Sequence, residues 1–170
     1  YIMNANGTNQ IALTDNDYED GLPHWSPDGS KIGFSSSRDD EYPDIPDVYM
    51  MNPDGGDLVR LTRGPDIKLM SAWSPDSSKI VFLNIREVPS GYEQHLYVMN
   101  SDGTEQRRLT GHDYDEGLVV SWSPDGSKVA FSSERDSGWQ IYVMNVDGTN
   151  ETRITSIGLP GCLDGGYCAE

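Results

Sequence analysis

Hydrophobic and polar positions alternate along this chain in short runs and show no helical spacing. In Trp25-Ser-Pro-Asp-Gly-Ser-Lys-Ile-Gly-Phe34, Ile32 and Phe34 share one face of a pleat while Lys31 and Gly33 take the other. The same run returns as Trp73-Ser-Pro-Asp-Ser-Ser-Lys-Ile-Val-Phe82 and Trp122-Ser-Pro-Asp-Gly-Ser-Lys-Val-Ala-Phe131, a period of about 48 residues. A second run recurs four times: Tyr1-Ile-Met-Asn-Ala-Asn-Gly, Tyr49-Met-Met-Asn-Pro-Asp-Gly, Tyr97-Val-Met-Asn-Ser-Asp-Gly and Tyr142-Val-Met-Asn-Val-Asp-Gly. Each leads to a short stretch ending Leu13-Thr14, Leu61-Thr62, Leu109-Thr110 or Ile154-Thr155. A period of this length without helical patterning predicts radially repeated sheets.

The turns complete the strand assignment. Ser-Pro-Asp-Gly has type I chemistry: Ser first, Pro presetting φ second, and Gly last to take φ > 0 and form the bulge that joins antiparallel strands. Asn-x-Asp-Gly repeats that chemistry with Asn in place of Ser. Each unit therefore reads as strand A (ending at Trp), turn, strand B, loop, strand C (through Tyr-x-Met-Asn), turn, strand D (ending Leu-Thr). That is a four-stranded antiparallel propeller blade, and the fold class is all-β. Residues 1–14 supply the C and D strands of a half blade. Residues 15–64, 65–112 and 113–157 supply three full blades, and 158–170 form a tail. Ser77 replaces the turn glycine in the second copy, at a strain cost if its φ is positive.

Taken together, Trp-Ser-Pro-Asp-Gly-Ser-Lys, Tyr-x-Met-Asn-x-Asp-Gly-Thr and Arg-Leu-Thr resemble the propeller repeat of the TolB periplasmic protein and its relatives, over residues 1 to about 155. The resemblance implies a β-propeller in an envelope or secreted protein, often serving as a protein-binding scaffold. It implies no reaction, because related propellers also accompany peptidases and other enzymes. The helical N-terminal domain of TolB itself has no counterpart in this sequence.

About three and a half blades fall below the usual 4–8 of a closed ring, so an unpaired edge is expected at each end. The start at Tyr1, in mid-blade, suits processing or truncation. The expectation is an open propeller completed by another chain: either the remainder of a larger propeller, or further copies forming a homo-oligomer or polymer.

Charge refines this picture. Twenty-eight acidic residues against 12 basic ones give a net charge of −16. Binding to nucleic-acid phosphates draws on Lys and Arg, so nucleic acid is excluded as a partner. No apolar run approaches the roughly 18 residues of a membrane-spanning helix. Strand order also sorts the acid by face. The turn aspartates 28, 54, 76, 102, 125 and 147 lie with the tight turns, where they bond local backbone. Asp17-Tyr-Glu-Asp-Gly21 and Asp113-Tyr-Asp-Glu-Gly117 are near duplicates just ahead of inner strands, and Arg38–Asp47 is a long B–C loop. Asp17, Glu19, Asp20, Asp113, Asp115 and Glu116 are thus expected at the mouth of the central channel. Calcium takes 6–8 oxygen ligands and suits such a mouth. No EF-hand spacing is present, and a solvated or partner-facing acidic surface is the commoner reading. No cofactor is required.

Trp25, Trp73 and Trp122 are expected to fill space between blades, as are Tyr49, Tyr97 and Tyr142. Tyr42, Tyr92 and Trp139 fall in or beside B–C loops where no repeat rule demands an aromatic, so they are candidate partner-binding residues. Arg38, Arg86 and Arg135 each follow a blade's Phe by four residues and predict an ion pair at the end of strand B. Catalysis finds no support: there is no Gly-x-Ser-x-Gly elbow, and His24, His95 and His112 make no zinc motif. Cys162 and Cys168 flank Gly165-Gly166, which predicts an intrachain disulfide pinning the tail and an oxidising compartment, periplasmic or extracellular. These observations predict a non-enzymatic, exported interaction or assembly module. The alternatives are an accessory propeller domain of a larger hydrolase or lyase, and a carbohydrate-binding module using Trp139, Tyr42 and Tyr92.

Overall fold

A computed structural model describes residues 1–38, 41–111, 116–135 and 138–155, together with the backbone of 162–163 and 167–168. Three four-stranded antiparallel sheets follow one another in chain order. Blade 1 holds β1 (Asp20–Trp25), β2 (Ile32–Ser36), β3 (Asp47–Met51) and β4 (Val59–Arg60). Blade 2 holds β5 (Ile67–Trp73), β6 (Lys79–Val88), β7 (Gly91–Asn100) and β8 (Arg107–Arg108). Blade 3 holds β9 (Glu116–Trp122), β10 (Lys128–Glu134), β11 (Trp139–Asn145) and β12 (Thr152–Arg153). Ahead of them, residues 1–14 form a hairpin held by the Ile2–Ile11 bridge. β5 packs between β1 and β9, which do not meet each other in the same way, so the ring is open. The fold is the all-β, partial propeller that the repeat predicts.

The repeated turns explain why the blades look alike. In each A–B turn the first Ser hydroxyl donates to the Asp carboxylate, 2.6 Å at Ser26–Asp28, Ser74–Asp76 and Ser123–Asp125. The same carboxylates accept the backbone N–H of Ser30, Ser78 and Ser127. These bonds hold the Asp28, Asp76 and Asp125 carboxyls down at about 2. Ser77 has φ 61°, where Gly29 and Gly126 sit at 71° in the equivalent turns. The Lys that closes the motif reaches the Asn of the C–D turn: Lys31–Asn52 at 2.6 Å, Lys79–Asn100 at 2.9 Å and Lys128–Asn145 at 2.8 Å. The two recurring motifs are thus tied to each other within every blade.

The core lies between blades. One cluster joins Val48, Leu61 and Leu22 of blade 1 to Met70, Trp73, Ile80, Phe82 and Met99 of blade 2. Another joins Val81, Leu83, Leu96 and Val98 of blade 2 to Val120, Val129, Phe131, Tyr142 and Met144 of blade 3. Leu22, at φ 51° in the bulge of β1, is packed against the first cluster. Backbone contacts recur as well. The Leu61 carbonyl rests 2.8 Å from where a Cβ on Gly103 would stand, and the Leu109 carbonyl 3.1 Å from the same point on Gly148.

The expectation that all three repeat Trp residues are core needs one correction. Trp73 is 7% exposed and Trp122 half-buried, but Trp25 is 50% exposed. The Trp73 indole packs toward the blade that precedes it. Trp73 donates its indole N–H to the His24 carbonyl at 3.1 Å and sits against Gly33 of β2. Among the described residues, only the short hairpin 1–14 precedes Trp25.

Candidate functional site

Exposed apolar groups gather at both open ends. At the first end, a groove of about 520 Å³ runs between the hairpin 1–14 and blade 1, with Ile2, Leu13, Trp25, Phe34 and Met51 among its walls. At the far end, the outer face of blade 3 presents Val119 (78% exposed), Trp139 (53%) and Ile141 (37%). Register shows why those three share that face. Val120 pairs with Phe131 and both turn toward blade 2, so Val119, and Ile141 opposite Ser132, turn away. The matching faces of blades 1 and 2 are buried by the next blade.

The acidic residues predicted at the channel mouth separate into engaged and free groups. Asp20 lies 2.7 Å from Arg38, and that guanidinium stands 5.2 Å from the centroid of Phe34 and 5.3 Å from that of Tyr49. Burial works to raise the Asp20 carboxyl, but hydrogen bonds from Ser36, Arg38, Thr14 and Asn16 outweigh it and hold the group below its usual range. Glu116 is fully buried, 3.0 Å from Arg135, which also binds Glu151 and stacks 4.2 Å from the centroid of Tyr142. Burial pushes the Glu116 carboxyl up to about 7 against the pull of Arg135, with Glu151 adding to the rise. Asp17 and Glu19 line an exposed hollow with Asp44. Asp113 and Asp115 lie outside the described residues. Among the described residues no three His, Cys, Asp or Glu side chains come together as a metal-holding group.

Arg38 and Arg135 make the ion pairs predicted at the end of strand B. Arg86 departs from the pattern: β6 and β7 extend past it as one long hairpin, leaving it exposed opposite Glu93. The repeat registers explain the exception. Asp20 pairs with Ser36 and Glu116 with Ser133, but the same position of blade 2 is Lys68, opposite Asn84. Lys68 turns instead to Asp47 of blade 1 at 3.4 Å, where Arg60 and Thr62 also bind that buried carboxylate at 2.5 and 2.6 Å. Sequence reasoning missed this lock between blades. Aligning the residue five before Trp73 with Asp20 would have found it.

The candidate partner-binding aromatics belong to three different blades. Tyr42 is half-buried in the β2–β3 connection, Tyr92 is 63% exposed and lies within β7, and Trp139 opens β11. His24 is half-buried, and burial lowers its imidazole pKa. β13 (Cys162–Leu163) pairs with β14 (Tyr167–Cys168) so that Cys162 stands opposite Cys168, while their side chains, and with them the predicted disulfide, lie outside the described residues. Among the described residues no helix is long and apolar enough to cross a membrane.

Comparison with known proteins places this geometry. No curated protein matches the sequence. Among solved structures, the chain is similar to a putative TolB from Agrobacterium tumefaciens, 28% identical, with a TM-score of 0.67 over 78% of this chain and 44% of that one. TolB from Acinetobacter baumannii (23% identical, TM-score 0.68, covering 91% and 36%) shares the fold. So does an oligogalacturonate lyase solved with manganese (17% identical, TM-score 0.67, covering 95% and 43%). The chain therefore spans less than half the length of each. The family model of the TolB beta propeller domain matches residues 71–160, more than half of the sequence. With its three antiparallel blades and their linked Ser-Pro-Asp and Met-Asn turns, this chain belongs to the TolB β-propeller domain family.

Proposed function

We propose that this propeller segment is a non-enzymatic, exported interaction module that assembles through its open ends. The observation that carries the reading is the outer face of blade 3. Val119 and Ile141 are exposed there although the corresponding faces of blades 1 and 2 are covered by the next blade. Exposed apolar faces rimmed by polar residues mark interaction surfaces. Copies meet through this face, and the acidic loops, Asp17 and Glu19 among them, turn toward a basic partner or divalent cations. Export draws support from the TolB family membership, and a Cys162–Cys168 disulfide would suit that compartment.

Light scattering with and without calcium tests the proposal. A mass above 18.8 kDa that rises with concentration is expected. An 18.8 kDa monomer at all concentrations overturns self-association, and an unchanged melting temperature on adding calcium overturns the cation reading. A second reading, an accessory propeller domain of a larger hydrolase or lyase, draws on the coverage of only 36–44% of the matched structures. It predicts that the chain stays monomeric and binds a separately expressed catalytic domain.

A further inference from the structure

Two residues of blade 2 depart from the repeat at its tight turns, and both line one hollow. Ser77 stands where Gly29 and Gly126 stand in the sister A–B turns. Ser101 stands where Ala5, Pro53 and Val146 stand in the other C–D turns. The hollow holds about 250 Å³ between blades 1 and 2, and Trp73, Met50, Lys31 and Asp28 share its walls. The equivalent place between blades 2 and 3 is crossed by an arginine. There Arg107, opposite Val98, carries its guanidinium to the Val146 carbonyl at 2.5 Å. In blade 1 the repeat position of Arg107 is Val59, opposite Met50, and a valine is too short to make that crossing. Three departures from the repeat thus meet at one junction: one leaves the space and two line it with hydroxyls.

We propose that this hollow is a binding site for a single neutral sugar ring. Its volume falls below the roughly 300–1,000 Å³ of pockets that hold drug-sized ligands, which limits the occupant to about one ring. Trp73 and Met50 supply an apolar wall for the C–H face of a sugar. The rim mixes donors and acceptors. Ser77 Oγ accepts the Asp28 backbone N–H at 3.2 Å, which leaves the hydroxyl proton to donate. Asp102, also in the wall, has its Oδ1 taken by the N–H and hydroxyl of Thr104 at 2.9 and 2.6 Å. Its Oδ2 and the Ser101 hydroxyl make no bond among the described residues. Lys31 Nζ donates to Asn52 and has two further protons. Sugar hydroxyls both donate and accept, so they match such a rim. An anion would meet the carboxylates of Asp28 and Asp102, and an aliphatic ligand would leave the rim groups unpaired. Ser77 adds to the case, because a serine at φ 61° keeps a strain that the glycine of the sister turns avoids. That glycine would also lack the hydroxyl.

The site lies apart from the open ends and does not depend on assembly through them. Glucose, galactose, mannose and N-acetylglucosamine, each titrated to millimolar concentration into the nitrogen-15-labelled full chain, are the probes. At least one should shift the Ser77 and Ser101 backbone amides and the Trp73 indole signal saturably, with Trp25 and Trp139 unmoved. The anions glucuronate and galacturonate should bind more weakly than that sugar. Ser77→Gly and Ser101→Val borrow the residues of sister turns, so the fold tolerates them. Each removes one hydroxyl and should weaken binding about three- to tenfold. Neither should lower the melting temperature by more than about 2 °C. Val59→Arg supplies the crossing arginine of the next junction and should abolish binding. No saturable shift with any of the four sugars overturns the proposal. So does binding that survives all three substitutions, or tighter binding of the uronates. Shifts gathered at Tyr92 and Trp139 would place the sugar on the exposed aromatics and overturn it too.

Discussion

Trp73 and Trp25 occupy the same position of the same motif, yet one is 7% exposed and the other 50%. Their turns are held by the same bond: Ser26 and Ser74 bond Asp28 and Asp76 at the same 2.6 Å. The difference lies in the neighbour. Trp73 rests on a complete blade and donates to His24, while Trp25 faces a groove beside a two-stranded hairpin. A repeat motif thus specifies a blade, whereas burial belongs to the junction between two blades, as nearest-neighbour coupling in repeat proteins requires.

The largest expected effect breaks this comparison directly. Trp73→Ala removes a buried indole from a closed junction and should cost about 3–5 kcal/mol in chemical denaturation. Trp25→Ala, at an open junction, should cost less than about 1 kcal/mol. Equal losses would mean that the two junctions are alike. Next in size is the far end. Ile141→Lys places a charge on the exposed face of blade 3 and should return assembled material to monomer by light scattering, with a melting temperature unchanged within about 2 °C.

Titration sharpens the contrast between the ion pairs of blades 1 and 3. Glu116 has its folded pKa raised from 4.5 to about 7, so the folded state holds the proton more tightly. Its contribution therefore favours folding at low pH and is lost as pH rises from 4.5 through 7. Melting temperature should fall across that window, and Glu116→Gln should flatten the fall. Asp20, held below its usual range, has the opposite sense. The turn carboxylates Asp28, Asp76 and Asp125, at about 2, contribute stability above pH 3.8 that disappears as pH falls toward 2, so acid unfolding should begin there. The smallest effect concerns Ser77→Gly. It relieves a serine at φ 61° and gives up its hydroxyl bond to the Asp28 N–H, so a net gain below about 1 kcal/mol is expected in thermal melts.

Much of the fold was legible because its signals are local. The alternation of Ile32 and Phe34, the Ser-Pro-Asp turn and the four Tyr-x-Met-Asn runs place the strands of each blade. The bond from Lys31 to Asn52 escaped notice because it links two motifs 21 residues apart, although its residues were in plain view. The exposure of Trp25 depends on another blade, and no single motif can report that. Tyr92 stands beside the β6–β7 turn at Pro89 and Ser90, within a hairpin whose strands run up to Val88 and to Gly91 at φ 135°. Of the channel-mouth carboxylates, sequence alone could not separate Asp20 and Glu116, each engaged by an arginine, from Asp17 and Glu19 in the open.

The central claim is that the first junction is open while the equivalent junction one blade later is closed. Hydrogen exchange of the indole N–H groups, read by NMR at low micromolar concentration, tests it most directly. The account predicts a fast-exchanging Trp25 and a Trp73 slowed by its bond to the His24 carbonyl. Equal protection of the two indoles under those conditions would contradict it.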